Sequence, residues 1–142
     1  MLLNIDPILS PELLFALRSM GHGDEIALVD ANYPAESSTP KCIRADGSDC
    51  SEILKAVLSV MPLDTFVANP VLCMQVVENK NTIPDAVKEF QAIINDVAIS
   101  PVEIQSLERF VFYERAAQAY AVVQTGERRL YGNIILKKGV IA

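Results

Sequence analysis

A chain of 142 residues fits one domain, residues 1–142, and is long enough to bury a substantial core. Its net charge of −6 and pI of about 4.7 argue against a nucleic-acid partner. Hydrophobic residues make up 51% and the mean hydropathy is +0.26, yet no apolar run approaches a membrane span, so the surplus apolar surface is expected at subunit interfaces rather than in a membrane.

Ser10-Pro11 reads as a helix start, a capping serine followed by proline at the first helical position. Leu13, Leu14, Leu17 and Met20 give that helix one apolar face, and Gly21 stops it. His22, the sole histidine of the chain, follows between two glycines. Glu25 to Asp30 reads as a buried strand ending in a carboxylate. Residues 31–41, with Pro34 and Pro40, read as a loop leaving the strand's carboxyl end, where open α/β sheets place ligands. Asn32 and Tyr33 in this loop either contact a ligand or cap and cover the loop.

Cys42 to Ala45 is a short strand candidate closed by Asp46-Gly47. Ser48 or Asp49 then caps a helix running to about Val60, and Pro62 ends it. Phe66 to Val77 reads as extended chain, with Val71 to Val77 apolar enough for a strand covered on both faces. Pro84 opens a third helix, with Pro101 past its end, and Ser106 is expected to cap a fourth through about Ala119. Tyr120 to Gln124 and Leu130 to Leu136 complete the strands, with turn residues Thr125-Gly126-Glu127 between them. Strands alternating with helices indicate an α/β layered domain, and the two adjacent final strands leave room for an antiparallel pair in a mixed sheet.

The three cysteines, Cys42, Cys50 and Cys73, form no CxxC pair. With one histidine in the chain, a metal site of the usual Cys/His kind has poor support, and reduced thiols in a cytoplasmic protein are the default. The N-terminus lacks a basic region followed by a long apolar core, so no signal peptide is expected. Phosphate-cradle, dinucleotide, nucleophile-elbow and zinc-protease motifs are also missing from the sequence.

What remains is a set of unlike polar groups: His22, Asp30, Arg109, and Tyr131-Gly132-Asn133 in the last strand. A titratable base, a carboxylate, a cation, a phenol and an amide suit a neutral polyhydroxylated ligand. Each residue also has a plainer role: Asp30 can cap a turn, and Arg109 can pair with Glu108 or Glu114. Tyr131 can pack in the core or an interface, and Asn133 can satisfy a backbone group.

Several segments resemble the L-fucose mutarotase family, which is related to D-ribose pyranase. They are Ser10-Pro11-Glu12-Leu13-Leu14, Met20-Gly21-His22-Gly23-Asp24-Glu25-Ile26, Asp30-Ala31, and Ile43 to Gly47. They continue with Arg109 to Ala116, Thr125-Gly126-Glu127, and Tyr131 to Val140, while residues 51–100 match mainly in pattern. The resemblance implies a three-layer α/β/α sandwich with a mixed, mostly parallel sheet. It implies a ring-like homo-oligomer, commonly a decamer, with sites near subunit contacts. It also implies interconversion of the α and β anomers of a free sugar without cofactor or metal. On that pattern His22 falls on the proton donor, and Asp30, Arg109, Tyr131, Gly132 and Asn133 fall on sugar-binding positions, with Tyr120 a further candidate. Position 32 departs from members that carry histidine there, so Asn32 leaves His22 without a second imidazole. The alternatives are a D-ribose pyranase, a non-catalytic sugar-binding module, and a purely structural ring subunit.

Overall fold

The computed structural model describes residues 1–39 and 41–142. Helix α1 (Pro11–Ser19) begins as its sequence requires: the Ser10 hydroxyl accepts the Leu13 N–H at 3.2 Å, with Pro11 at the first helical position. It ends without a left-handed glycine. Instead Lys138 Nζ donates to the carbonyls of Leu17 and Met20 at 2.7 and 2.6 Å, placing a cation against the negative end of the helix dipole. The left-handed residue here is Gly23, at φ 85°, one turn later.

Strand β1 (Glu25–Val29) is fully buried from Ile26 onward. The segment expected as loop holds a single helical turn, α2 (Ala35–Ser38); Pro40, assigned to the same loop, lies outside the described residues. Strand β2 (Cys42–Ala45) precedes α3 (Cys50–Leu58), which opens on a reciprocal cap between Asp49 and Glu52. Strand β3 (Val71–Met74) occupies only the start of the apolar run from Val71, and α4 (Asp85–Val97) follows Pro84.

The next element corrects the reading of Ser106. Ser106 lies inside a short strand, β4 (Gln105–Leu107), opposite Cys73. The cap of α5 (Arg109–Gln118) is Glu108, whose carboxylate accepts the N–H groups of Phe110 and Val111 at 2.9 and 3.2 Å. Being immediately before the helix, Glu108 reaches the exposed N–H groups that Ser106, paired in the sheet, cannot. Strands β5 (Ala121–Thr125) and β6 (Ile134–Lys137) close the chain.

The strand order is β2-β5-β1-β6-β3-β4. Strands β1 to β5 run in one direction, and β6 runs against its neighbours β1 and β3. The sheet is therefore mixed and mostly parallel, as expected, but β5 and β6 are not paired with each other. Strand β1 lies between them, so the segment joining β5 to β6 must cross the carboxyl end of β1.

Alternation along the strands divides the core. Ile26, Leu28, Val123, Ile134 and Leu136 face α1, α3 and α4, with Ile53, Leu54, Phe90 and Ile94 packed on them. Ala27, Val29, Leu72, Met74 and Ile135 face α2 and α5, with Phe112 and Ala116 packed on them. Helices on both faces make the three-layer α/β/α sandwich. Phe112 is fully buried, which contributes about 3 kcal/mol by apolar transfer.

Candidate active site

The carboxyl end of β1 carries a polar cluster whose geometry follows from the topology. Asp30 is the first residue past the strand, and Asn133 is the last before β6. Because β6 runs antiparallel to β1, the two meet. Asn133 Oδ1 accepts the Asp30 N–H at 2.8 Å, and Asn133 Nδ2 donates to Asp30 Oδ2 at 2.9 Å. Asp30 Oδ1 accepts the Asn32 N–H at 2.9 Å. Burial raises the Asp30 carboxyl above its ordinary range against the pull of these donors, and Glu127 adds to the rise.

Around this pair lies a cleft of about 200 Å³ lined by Asn32, Tyr33, Met74, Arg109, Tyr113, Leu130 and Tyr131 as well as Asp30 and Asn133. That is below the roughly 300–1,000 Å³ of clefts that hold drug-sized ligands, and it suits a monosaccharide. Arg109 belongs to the first turn of α5, with its guanidinium carbon 4.7 Å from the Phe110 ring centre. Among the described residues it makes no ion pair with Glu108 or Glu114. Arg109 Nε and the Tyr33 hydroxyl are both buried with no hydrogen-bond partner among the described residues. Burial pushes the Tyr33 phenol far above its ordinary value, so it stays a donor at neutral pH.

Tyr131, Gly132 and Asn133 sit in the turn before β6, not in the last strand. Tyr131 has a left-handed backbone, φ 60°, and its hydroxyl accepts the Val77 N–H at 3.3 Å, leaving its own proton free to donate. Gly132 is backed by Glu127: a Cβ at position 132 would stand 2.5 Å from Glu127 Cγ.

His22 lies at the other end of β1, across five strand residues and therefore roughly 15 Å away. There its Nε2 meets Asp64 Oδ1 at 3.1 Å, and the Phe66 ring stands edge-on to the imidazole with centroids 5.2 Å apart. Asp64 is 2% exposed, and the same Oδ1 accepts the Phe66 N–H at 2.9 Å. The Phe66 N–H and then His22 hold the Asp64 carboxyl below its ordinary range, so it is a carboxylate at neutral pH. Tyr120 is also at this end. It precedes β5, which runs parallel to β1, so it stands beside Gly23, Asp24 and Glu25, with Lys41 Nζ 3.7 Å above its ring. The aromatic ring of α5 that lines the cleft is Tyr113, not Tyr120.

The fold thus brings Asp30, Arg109, Tyr131 and Asn133 together and keeps His22 and Tyr120 apart from them. Asp64 and Tyr113 are the residues that sequence reasoning missed. Tyr113 carried a signal in principle, being one helical turn from Arg109. Asp64 had no local signal, because its partner is 42 residues away. Among the described residues no three metal-binding side chains cluster, and no helix is long and apolar enough to cross a membrane.

Residues 3–141 match the model of the RbsD / FucU transport protein family. The chain belongs to that family. Mouse fucose mutarotase is 49% identical over 143 residues, covering 96% of this chain and 93% of its own. The fucose mutarotase of Streptococcus pneumoniae, solved in complex with L-fucose, superposes with a TM-score of 0.92 at 45% identity, covering 99% of this chain and 100% of its own. FucU from Bifidobacterium longum superposes at 0.91 with 42% identity, covering 98% and 99%. The six-stranded sandwich of this family member is thus matched over nearly its whole length by these relatives.

Proposed function

We propose that the protein is an L-fucose mutarotase, an isomerase that interconverts the α and β anomers of free L-fucose. The observation that carries this is the small cleft of carboxylate, amide, phenol and guanidinium groups at the β1 carboxyl end, in a chain whose relatives are named fucose mutarotase. Asp30 and Asn133 accept from and donate to sugar hydroxyls, Arg109 and Tyr131 donate, and Gly132, packed on Glu127, keeps the turn between Tyr131 and Asn133 tight. No charge develops permanently on the sugar, which agrees with a site built from neutral and balanced groups.

Ring opening puts a proton on the ring oxygen, breaks the bond from C1 to that oxygen, and takes the proton from the anomeric hydroxyl. The open aldehyde turns its face and the ring recloses. Both oxygens are bonded to C1, so one imidazole placed beside C1 can serve both transfers in turn. His22 is that group. Asp64 accepts from Nε2–H and leaves Nδ1 as the nitrogen that exchanges protons with the sugar.

His22 reaches the sugar from a neighbouring subunit. Its end of β1 exposes Phe66 and Val67, and the cleft end exposes Val77, Phe110, Val111 and Leu130. Two different apolar patches at opposite ends support head-to-tail association, which closes into a ring when the rotation allows. The resemblance to the family favours a decamer. The free thiols of Cys42, Cys50 and Cys73 favour the cytoplasm.

The test is saturation transfer between the anomeric proton signals of equilibrated L-fucose, with and without protein. Protein-dependent transfer is expected. Sugar binding without faster exchange would make the protein a sensor, and no binding would make it a structural subunit.

A further inference from the structure

The segment joining β5 to β6 has to cross the carboxyl end of β1, and it carries Tyr131 and Asn133 into the cleft. Its inner strand end is tied down by Thr125, whose hydroxyl donates to the Val29 carbonyl at 2.8 Å and accepts the Glu127 N–H at 3.2 Å. The Glu127 carbonyl accepts the Ala31 N–H at 2.9 Å. Past that point the backbone turns through Tyr131, whose left-handed conformation needs an outside constraint, and through Gly132, which packs closely on Glu127.

An ion-pair fork lies against this turn. The Glu127 side chain is 3% exposed. Its Oε1 accepts both the backbone N–H and Nε of Arg129 at 2.9 Å, and its Oε2 accepts Arg129 Nη2 at 2.7 Å. The outer edge of the same guanidinium donates to Ser51 of α3 at 3.1 Å and to Glu89 of α4. Glu127 Cγ in turn is the wall against which Gly132 packs, and the Gly132 N–H donates to the Arg129 carbonyl at 3.3 Å. Arg129 itself does not line the cleft.

We propose that Arg129 is a positioning residue for the sugar site: through its fork to Glu127, braced on Ser51 and Glu89, it holds the turn that presents Tyr131 and Asn133 to the sugar. This rests on the sugar-site reading given above. A planar fork locks its partner in two directions at once, which a point charge cannot do. The turn is therefore linked to the helical layer on the face opposite α5. Losing the fork frees residues that bind the sugar equally before and during ring opening, so it weakens binding more than turnover.

The experiment measures initial mutarotation rates of freshly dissolved α-L-fucose by polarimetry, for the parent protein, Arg129→Gln and Arg129→Lys. Both variants are expected to raise KM on the order of tenfold, with kcat within about threefold and the oligomer intact. Lysine is expected not to rescue, since it keeps the charge and loses the fork. A lower kcat at unchanged KM would mean a loss of active fraction and would overturn the proposal, as would full rescue by lysine. If Arg129 variants do not fold, Glu89→Gln and Ser51→Ala remove only the outer bracing. A KM rise of about two- to threefold is then expected, and an unchanged KM overturns the proposal. A parent protein that does not accelerate mutarotation would sink the mutarotase reading instead. Hydrogen exchange at the backbone amide of Gly132, which donates to the Arg129 carbonyl, would then decide the role of Arg129, with faster exchange in Arg129→Gln expected and equal exchange overturning it.

Discussion

Asp30 and Asn133 hold each other reciprocally: the amide oxygen takes the Asp30 N–H and the amide nitrogen gives to the Asp30 carboxylate. The pairing fixes which oxygen and which nitrogen of Asn133 face Asp30, and it aligns both side chains toward the cleft. Asp30→Asn keeps the shape but sets an amide group opposite an amide group. Leaving a buried donor unpaired costs about 1–3 kcal/mol, so a lower Tm in calorimetry and a raised KM for L-fucose are expected together. Unchanged values of both would show that the pair does not organise the site.

His22→Gln is expected to remove most anomer exchange, about 10²–10⁴-fold, because glutamine keeps a hydrogen bond to Asp64 but carries no titrating proton. Asp64→Asn is expected to act by letting the imidazole move; a misplacement of about 1 Å can cost about 10²-fold. Saturation-transfer rates check both. Activity of His22→Gln within a few-fold of the parent would refute the assignment.

At L-fucose concentrations well below the raised KM of Asp30→Asn, subunits with that change and subunits with His22→Gln should each be nearly inactive alone. If they are unfolded together and reassembled in equal amounts, random neighbours leave about a quarter of the contacts with both intact halves, and about that share of activity returns. No recovery in mixed rings would place the complete site within one protomer.

Acid should unfold the protein through its paired carboxylates. Burial pulls the Glu25 carboxyl up, but hydrogen bonds and charge from Arg115 and Lys137 outweigh it and leave the value below 4.5. Glu25 therefore contributes stability at pH above about 4.5 that is lost as pH falls through its folded-state value. Asp30, raised above 3.8, acts in the opposite sense as pH rises through its own value. Glu25→Gln should cost roughly 1–2 kcal/mol at pH 7, given that Arg115 is partly exposed, and the gap should close in acid. Urea midpoints at pH 7 and pH 3 measure it.

L-Fucose is expected to exchange faster than D-ribose at equal concentration. Its C5 methyl gains roughly 1 kcal/mol on burial, and Met74, Tyr113, Leu130 and Tyr131 line the cleft that would receive it. Of the other aromatic rings, Phe112 is sealed in the core, Phe110 is 61% exposed outside the cleft, and Tyr120 is at the far end. NMR exchange on both sugars decides it, and faster ribose exchange would move the protein to the pyranase side.

The layered fold was legible because its helices carry strong caps and stripes: Ser10-Pro11, Asp49 with Glu52, and the apolar faces of α3 and α4. Strand β4 was not, since three residues with no buried face leave no alternation to read. Strand order was not legible either. Tyr120 follows a helix and leads into a strand, and only the parallel pairing of β5 with β1 places it beside Glu25 rather than beside Asp30. Asp30 stands out by residue type at a strand end and Asn133 as an amide within the run expected as the last strand, but their pairing requires knowing that β6 runs back along β1. Asp64 depends wholly on a contact with His22 across 42 residues, which no local pattern encodes.

The placement of His22 and Asp30 at opposite ends of one strand has a further consequence for the assembly. On the proposed pairing each subunit is a bifunctional unit with unlike ends, as in a polymer built from a single monomer with one head and one tail. An open chain of such units always wastes one head and one tail, whereas a closed ring wastes none. Specific activity then becomes a count of closure: dilution that opens rings should lower activity per subunit in discrete proportion to the ends created, before any subunit unfolds.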